Sequence, residues 1–248
     1  MELNLLVAEL ANFLQVGKFQ DYCPNGLQVE GRPQVRRIVS GVTASQALIE
    51  AAIEADADAI LVHHGYFWRG EAAEVTGLKR NRLKRLLTHD LNLLAYHLPL
   101  DAHAEVGNNV QLAQVFEWTI DRYLDDKNML PMTQLPQAST LADLGEYISQ
   151  KLGRRAQLLG DPQKQVQTVA WCTGAAQPYI QQAVNAGVDV FISGEVSEQT
   201  WHTVNETGTA YLSAGHHATE RYGVQALGQW IAEKYGIEHI YIELDNPI

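Results

Sequence analysis

Two stretches of the chain share one order of residue types, and that order limits the fold more than any other feature. Segment 38–64 reads Ile38-Val39-Ser40-Gly41-Val42-Thr43, a helical stretch, then Asp58-Ala59-Ile60-Leu61-Val62-His63-His64. Segment 169–195 reads Val169-Ala170-Trp171-Cys172-Thr173-Gly174, a helical stretch, then Asp189-Val190-Phe191-Ile192-Ser193-Gly194-Glu195. Each copy predicts strand, helix, strand. Each then continues through a further helix to a further strand, Leu91 to Tyr96 in the first copy and Thr209 to Ala214 in the second. Short apolar runs alternating with helices imply mostly parallel sheets flanked by helices. The expected architecture is two related α/β lobes, residues 1–125 and 126–248, either separate or packed as one unit. Asp125 to Pro136 has no sustained periodicity and reads as the linker. A helix is expected to restart at Ser139 or Thr140, run through Leu141, Leu144 and Ile148, and stop at Gly153.

In folds of this class ligands collect at the carboxyl ends of the strands. The polar residues expected there are His63 and His64, His97 and Asp101, Glu195, and His216 and Glu220. Neighbouring strand residues face opposite ways, so His63 and His64 share a site only where the strand ends, and Gly65 permits the turn. His216 and Glu220 are four apart and fall on one helix face if a helix begins at Gly215. Imidazole and carboxylate are ligands for zinc, manganese or iron. Three imidazoles, His63, His64 and His216, and two carboxylates, Asp101 and Glu220, are too few for two closed sites, so open positions remain for water or substrate. His97 fits a ligand, an orienting group or a proton shuttle. His217 is expected to diverge from His216 and pack elsewhere, His103 to lie in a loop, and His89, His202 and His239 to be surface or capping residues.

Composition removes several alternatives. With 18 Lys and Arg against 29 Asp and Glu, the net charge is −11, which argues against wrapping nucleic acid by phosphate neutralisation. Lys79, Arg80, Arg82, Lys84 and Arg85 read as the solvated face of a helix over Leu83, Leu86 and Leu87. Cys23 and Cys172 stand far apart without CxxC spacing and are expected to be buried thiols. The N-terminal residues read as an amphipathic helix through Leu3, Leu6, Val7, Leu10, Phe13 and Leu14 rather than a secretory signal, and no apolar run approaches spanning length. A cytoplasmic protein is the expectation. No GxGxxG, Walker lysine loop, GxSxG or HExxH is present, so nicotinamide oxidoreductases, P-loop enzymes, serine hydrolases and zincins lack their usual signatures. Tyr66, Phe67 and Trp68 either stack on a base or cover the core, and Arg69 beside them suits an anionic substrate.

Several stretches together resemble the YbgI-type members of the NIF-three-like dinuclear-metal family, labelled GTP cyclohydrolase I type 2 or its homologue. They are Pro24-Asn25-Gly26-Leu27-Gln28-Val29, Gly41-Val42-Thr43, Val62-His63-His64-Gly65, His97-Leu98-Pro99-Leu100-Asp101, Gly107-Asn108-Asn109, Ser193-Gly194-Glu195 and Gly215-His216-His217-Ala218-Thr219-Glu220. The resemblance implies two divalent ions, zinc, iron or manganese, held by His63, His64, Asp101, His216 and Glu220, with Glu220 bridging and His97 lining the same site. It implies a metal cleft between the lobes, a toroidal homohexamer, and a small anionic or nucleotide-like substrate. In the cyclohydrolase version, water activated by the metals attacks C8 of guanine in GTP, the imidazole ring opens and formate leaves, with His97 as the proton shuttle. Two other readings stand beside it: a non-catalytic, metal-dependent oligomeric binding or regulatory scaffold, and a two-metal phosphoesterase or amidohydrolase. Many relatives carry Gly-Asp, and a histidine five residues after that glycine, where this chain has Gly194-Glu195 and Gln199. The inserted domain of longer members has no counterpart here.

Overall fold

The computed structural model describes all 248 residues. In chain order the elements are α1 (Leu3–Phe13), a 3-10 turn, β1 (Gly26–Val29), β2 (Arg37–Thr43), α2 (Gln46–Glu54), β3 (Ala59–His64), α3 (Gly77–Thr88), β4 (Asn92–Ala95), α4 (Leu98–Ala102) and α5 (Asn108–Val115). There follow β5 (Arg122–Tyr123), β6 (Pro131–Thr140), α6 (Leu141–Leu152), β7 (Gln157–Leu159), β8 (Gln165–Trp171), a second 3-10 turn, α7 (Ile180–Asn185), β9 (Val190–Ser193), α8 (Glu198–Thr207), β10 (Ala210–Ser213), α9 (His216–Tyr235) and β11 (Glu238–Tyr241). Contacts divide the chain into two compact units, Met1–Leu100 with Gly223–Asp245, and Asp101–Tyr222 with Asn246–Ile248. No helix is long and apolar enough to cross a membrane.

The first unit is built on a five-stranded sheet of order β1-β4-β3-β2-β11. β4, β3, β2 and β11 run parallel, and β1 closes the edge antiparallel to β4. Ala59 to Val62 and His63 of β3 are fully buried, as expected of a central parallel strand covered on both faces. α2 begins at Ser45, whose hydroxyl accepts from the Leu48 backbone N–H, and it buries Leu48, Ile49 and Ala52. α3 buries Leu83 and Leu86, whereas Leu87 is 60% exposed, so the expected three-leucine face is only two residues wide. The core is the packing of Val39, Ile60, Val62 and Leu93 against Leu48, Ile49 and Leu86.

His239 is neither a surface nor a capping residue. It lies on β11, where its Nε2 sits 2.7 Å from the Ser40 hydroxyl. Its ring fills the space that a Cβ at Gly228 would take, 2.1 Å from the ideal position. Burial lowers its pKa below the ordinary 6.5. Above that value the ring is neutral in both folded and unfolded chains; as the pH falls below it, the unfolded chain takes up the proton first and stability declines. His239→Gln is therefore expected to lose less stability than the wild type between about pH 7.5 and about pH 5.5, read as urea midpoints.

The second unit carries a six-stranded sheet of order β5-β6-β8-β9-β10-β7. Its centre, β8-β9-β10, is parallel; β6 and β7 pair antiparallel to β8 and β10, and β5 pairs antiparallel to β6. β8-α7-β9-α8-β10 thus repeats the strand-helix order of β2-α2-β3-α3-β4. Thr140 caps α6 by accepting from the Asp143 N–H, and Gly153 ends it at a φ of +68°. Trp171, fully buried, donates its indole N–H to the Asn109 carbonyl and packs among Phe116, Ile148, Val166, Val190 and Leu212. The stretch expected as a linker is instead ordered: the Asp125 carboxylate accepts from the N–H groups of Met129 and Leu130, and β6 starts at Pro131. A register shift between Gln134 and Ser139 explains why β6 shows no regular alternation.

Candidate metal centre

In the first unit, His63 and His64 end β3, and His97 follows β4 after Tyr96. The chain leaves β3 through Gly65, which has no room for a side chain because a Cβ there would lie 2.1 Å from Gln28 Oε1. At this break the two neighbouring imidazoles come to 4.6 Å between ring centroids, and His97 lies 5.1 Å from His63 and 5.9 Å from His64. One ligand atom from each of the three falls within 4.8 Å of the others, a cluster able to hold a metal ion.

Each ring is oriented through Nδ1. His63 Nδ1 is 3.0 Å from the Tyr96 carbonyl, which only accepts, so this nitrogen carries the hydrogen and Nε2 is the unprotonated ring nitrogen. His64 Nδ1 lies 3.2 Å from the Thr43 hydroxyl. His97 Nδ1 donates to Asp21 Oδ1 at 2.7 Å. Asp21 also accepts from the Asn25 amide and from the Leu98 backbone N–H, and the Asn25 carbonyl oxygen accepts from the His97 N–H. Burial would raise the Asp21 pKa, but the hydrogen bonds from His97 and Asn25 outweigh it and hold the carboxyl at about 2. Cys23 is close enough to Asp21 and His97 to complete another three-ligand group. Burial, with the Asp21 charge, pushes that thiol up to about 12, and a neutral thiol is a poor ligand.

In the second unit, Asp101 is buried in α4, where its Oδ1 accepts from the Asn108 amide at 2.9 Å and the Thr173 hydroxyl at 3.2 Å. His216 and Glu220 occupy the first turns of α9, as their spacing predicts, with His216 Nε2 3.0 Å from Glu220 Oε2. His216 Nδ1 lies 2.7 Å from Glu195 Oε1. Burial alone would lower the His216 pKa, yet the carboxylates of Glu220 and Glu195 push it up to about 9. Imidazole and carboxylate are both ligands of divalent ions, so the chemistry of this donor set fits one. Gly174, at a φ of +68°, completes the surroundings: a Cβ there would lie 1.9 Å from Glu220 Oε1.

Of the residues singled out from sequence, His63, His64 and His97 come together in the first unit, and His216 with Glu220 in the second. His217 is buried and donates its backbone N–H to the Ile248 carbonyl. His103 lies in a loop, its Nδ1 accepting from the N–H groups of Glu105 and Val106. Gln199 is exposed on α8. The supporting groups Asp21, Thr173 and Gly174 escape sequence reasoning about ligands, because each acts through a contact between residues distant in the chain. Asn25 and Asn108 stand inside stretches that carry the family resemblance, which is the only signal that marks them.

The "GTP cyclohydrolase 1 type 2 homolog" of Pseudomonas aeruginosa is 55% identical over 248 residues, covering 99% of this chain and 98% of that protein. A solved structure described as "protein ybgI, unknown function" superposes with a TM-score of 0.96 at 46% identity over the whole of both chains. The structure of TTHA1606 from Thermus thermophilus does so at 0.90 and 31% identity, again over both whole chains. The family model for Duf34/NIF3 (NGG1p interacting factor 3) matches residues 1–247, and the chain belongs to that family.

Proposed function

We propose that the protein is a metal-dependent hydrolase of a small nucleotide-like anion, in the manner that the name GTP cyclohydrolase 1 type 2 homolog suggests for its relatives. The observation that carries this reading is the histidine cluster of the first unit, three imidazoles fixed through Nδ1 at the ends of parallel strands. In this reading His63, His64, Asp101, His216 and Glu220 would hold two divalent ions, zinc, iron or manganese. When bound, the ions supply Lewis-acid polarisation and make water more acidic. His97 moves the proton: its Nδ1–H is committed to Asp21, so Nε2 is the atom that gives or accepts it. We further infer a cytoplasmic toroidal homohexamer.

Elemental analysis of protein purified without added metal, followed by a product-resolved screen of GTP and related purine nucleotides, tests the reading. Two divalent ions per chain and formate release are expected from the cyclohydrolase version. Phosphate or ammonia would instead identify a phosphoesterase or amidohydrolase. A metal-loaded protein that turns over none of these nucleotides overturns the hydrolase. His64→Ala should lose metal while its mass by light scattering stays that of the wild type; dissociation on metal loss would favour a structural scaffold.

A further inference from the structure

After the histidine pair, three consecutive aromatic residues enter three different environments. Tyr66 is core, buried with its hydroxyl donating to the Ala44 carbonyl at 2.6 Å. Phe67 holds a φ of +64°, a left-handed backbone that a bulky side chain rarely adopts, and such outliers persist where surrounding structure or function demands them. Trp68 follows, lying edge-on to His97 with ring centroids 5.0 Å apart and 6.0 Å from His64. Its indole N–H donates to the Gly65 carbonyl and its backbone N–H to the Glu71 carboxylate, so the ring is held in place.

Tyr22 is a second aromatic neighbour of His97. Its ring is edge-on to His97 at 6.4 Å, yet the residue is 58% exposed. Arg69 ties the two loops together: its backbone N–H donates to the Tyr22 carbonyl, its Nη2 to the Asp21 carbonyl at 2.9 Å, and its guanidinium stands 5.7 Å from the Tyr22 ring centre. A chain with a net charge of −11 thus keeps an exposed, anchored cation against the Tyr22 ring and next in sequence to Trp68.

We propose that Trp68, Tyr22 and Arg69 form a recognition subsite for a nucleoside phosphate, the planar base packing on Trp68 and Tyr22 and the phosphate pairing with Arg69. Aromatic faces accept any base, while a guanidinium offers paired donors to phosphate oxygens. The assignment rests on the proposed reading of the histidine cluster as part of a hydrolytic centre, and it names the class of ligand that centre would take.

Calorimetric titration of the full-length protein with GMP, guanosine and inorganic phosphate tests it, with metal content and melting temperature measured for every variant. Trp68→Ala should weaken GMP and guanosine binding about ten-fold or more and leave phosphate unchanged, and Trp68→Phe should restore most of the loss. Arg69→Ala should weaken GMP and phosphate but not guanosine. A wild type that does not bind GMP, a Trp68→Ala protein that binds it unchanged, or a parallel fall for all three ligands in both variants would overturn the subsite. A protein showing the expected pattern without metal or turnover keeps the subsite and loses the hydrolase; an active metalloprotein insensitive to both substitutions does the reverse.

Discussion

Gly174→Ala is expected to strip metal from the second unit's ligand set while leaving the fold in place. A methyl group there would lie 1.9 Å from Glu220 Oε1, 2.9 Å from Glu220 Cδ and 3.2 Å from His216 Nε2. Glu220 is buried, so its carboxylate must shift within packed surroundings, which disturbs its place beside His216. The backbone contributes separately, because an L-residue at a φ of +68° costs about 1–2 kcal/mol. The expected outcome is a stability loss of about that size in chelated protein, with a larger loss relative to wild type when metal is supplied. Gly145→Ala is the control. That glycine lies inside α6, and its nearest neighbours, Leu212 and Leu158, stand at 3.5 and 3.6 Å. Alanine there should be neutral or stabilise by up to about 1 kcal/mol. Denaturant curves with and without metal, and metal analysis of both variants, check the contrast; a Gly174→Ala protein with wild-type metal content would show that Glu220 needs no such clearance.

Much of this arrangement is legible in residue order because the signals are local. The paired strand-helix-strand segments appear as β2-α2-β3 and β8-α7-β9, and Thr140 and Gly153 bound α6 where capping chemistry puts them. His216 and Glu220 share a face because a helix starts at His216, which their four-residue spacing already encodes. What is not legible depends on contacts made at a distance. Nothing in the order of residues shows that Gly223 to Asp245 belongs with the first unit, where β11 extends the sheet beside β2. His239 reads as a surface residue until β11 brings it onto Ser40 and Gly228 supplies the space for its ring. Nothing around Asp21 in the sequence marks it as a partner of the cluster; that role exists because His97, 76 positions later, donates to it. The antiparallel edge strands are equally silent, since β6 is irregular and β7 is three residues long.

Substitution of the acids around His216 should produce a graded loss of metal affinity, and the grading separates a ligand from its support. Under the proposed assignment Glu220 binds the ions directly, so Glu220→Gln, which preserves shape and removes the charge, is expected to cost more than the roughly 10–100-fold typical of removing an outer partner. Glu195 acts through His216: it accepts from Nδ1 at 2.7 Å, fixing the ring so that Nε2 faces Glu220. Glu195→Gln keeps an acceptor oxygen for that hydrogen bond but loses the charge that makes the imidazole a better donor, so its cost should fall within the roughly 10–100-fold range. Glu195→Asp, which keeps the charge on a shorter side chain, should recover part of that loss. Gln199 is exposed on α8, and Gln199→Ala should leave affinity unchanged. Competition against a chromogenic chelator gives all four values on one scale. Equal losses for Glu220→Gln and Glu195→Gln would mean that both carboxylates reach the ions, and that His216 is held by them rather than holding metal alongside Glu220.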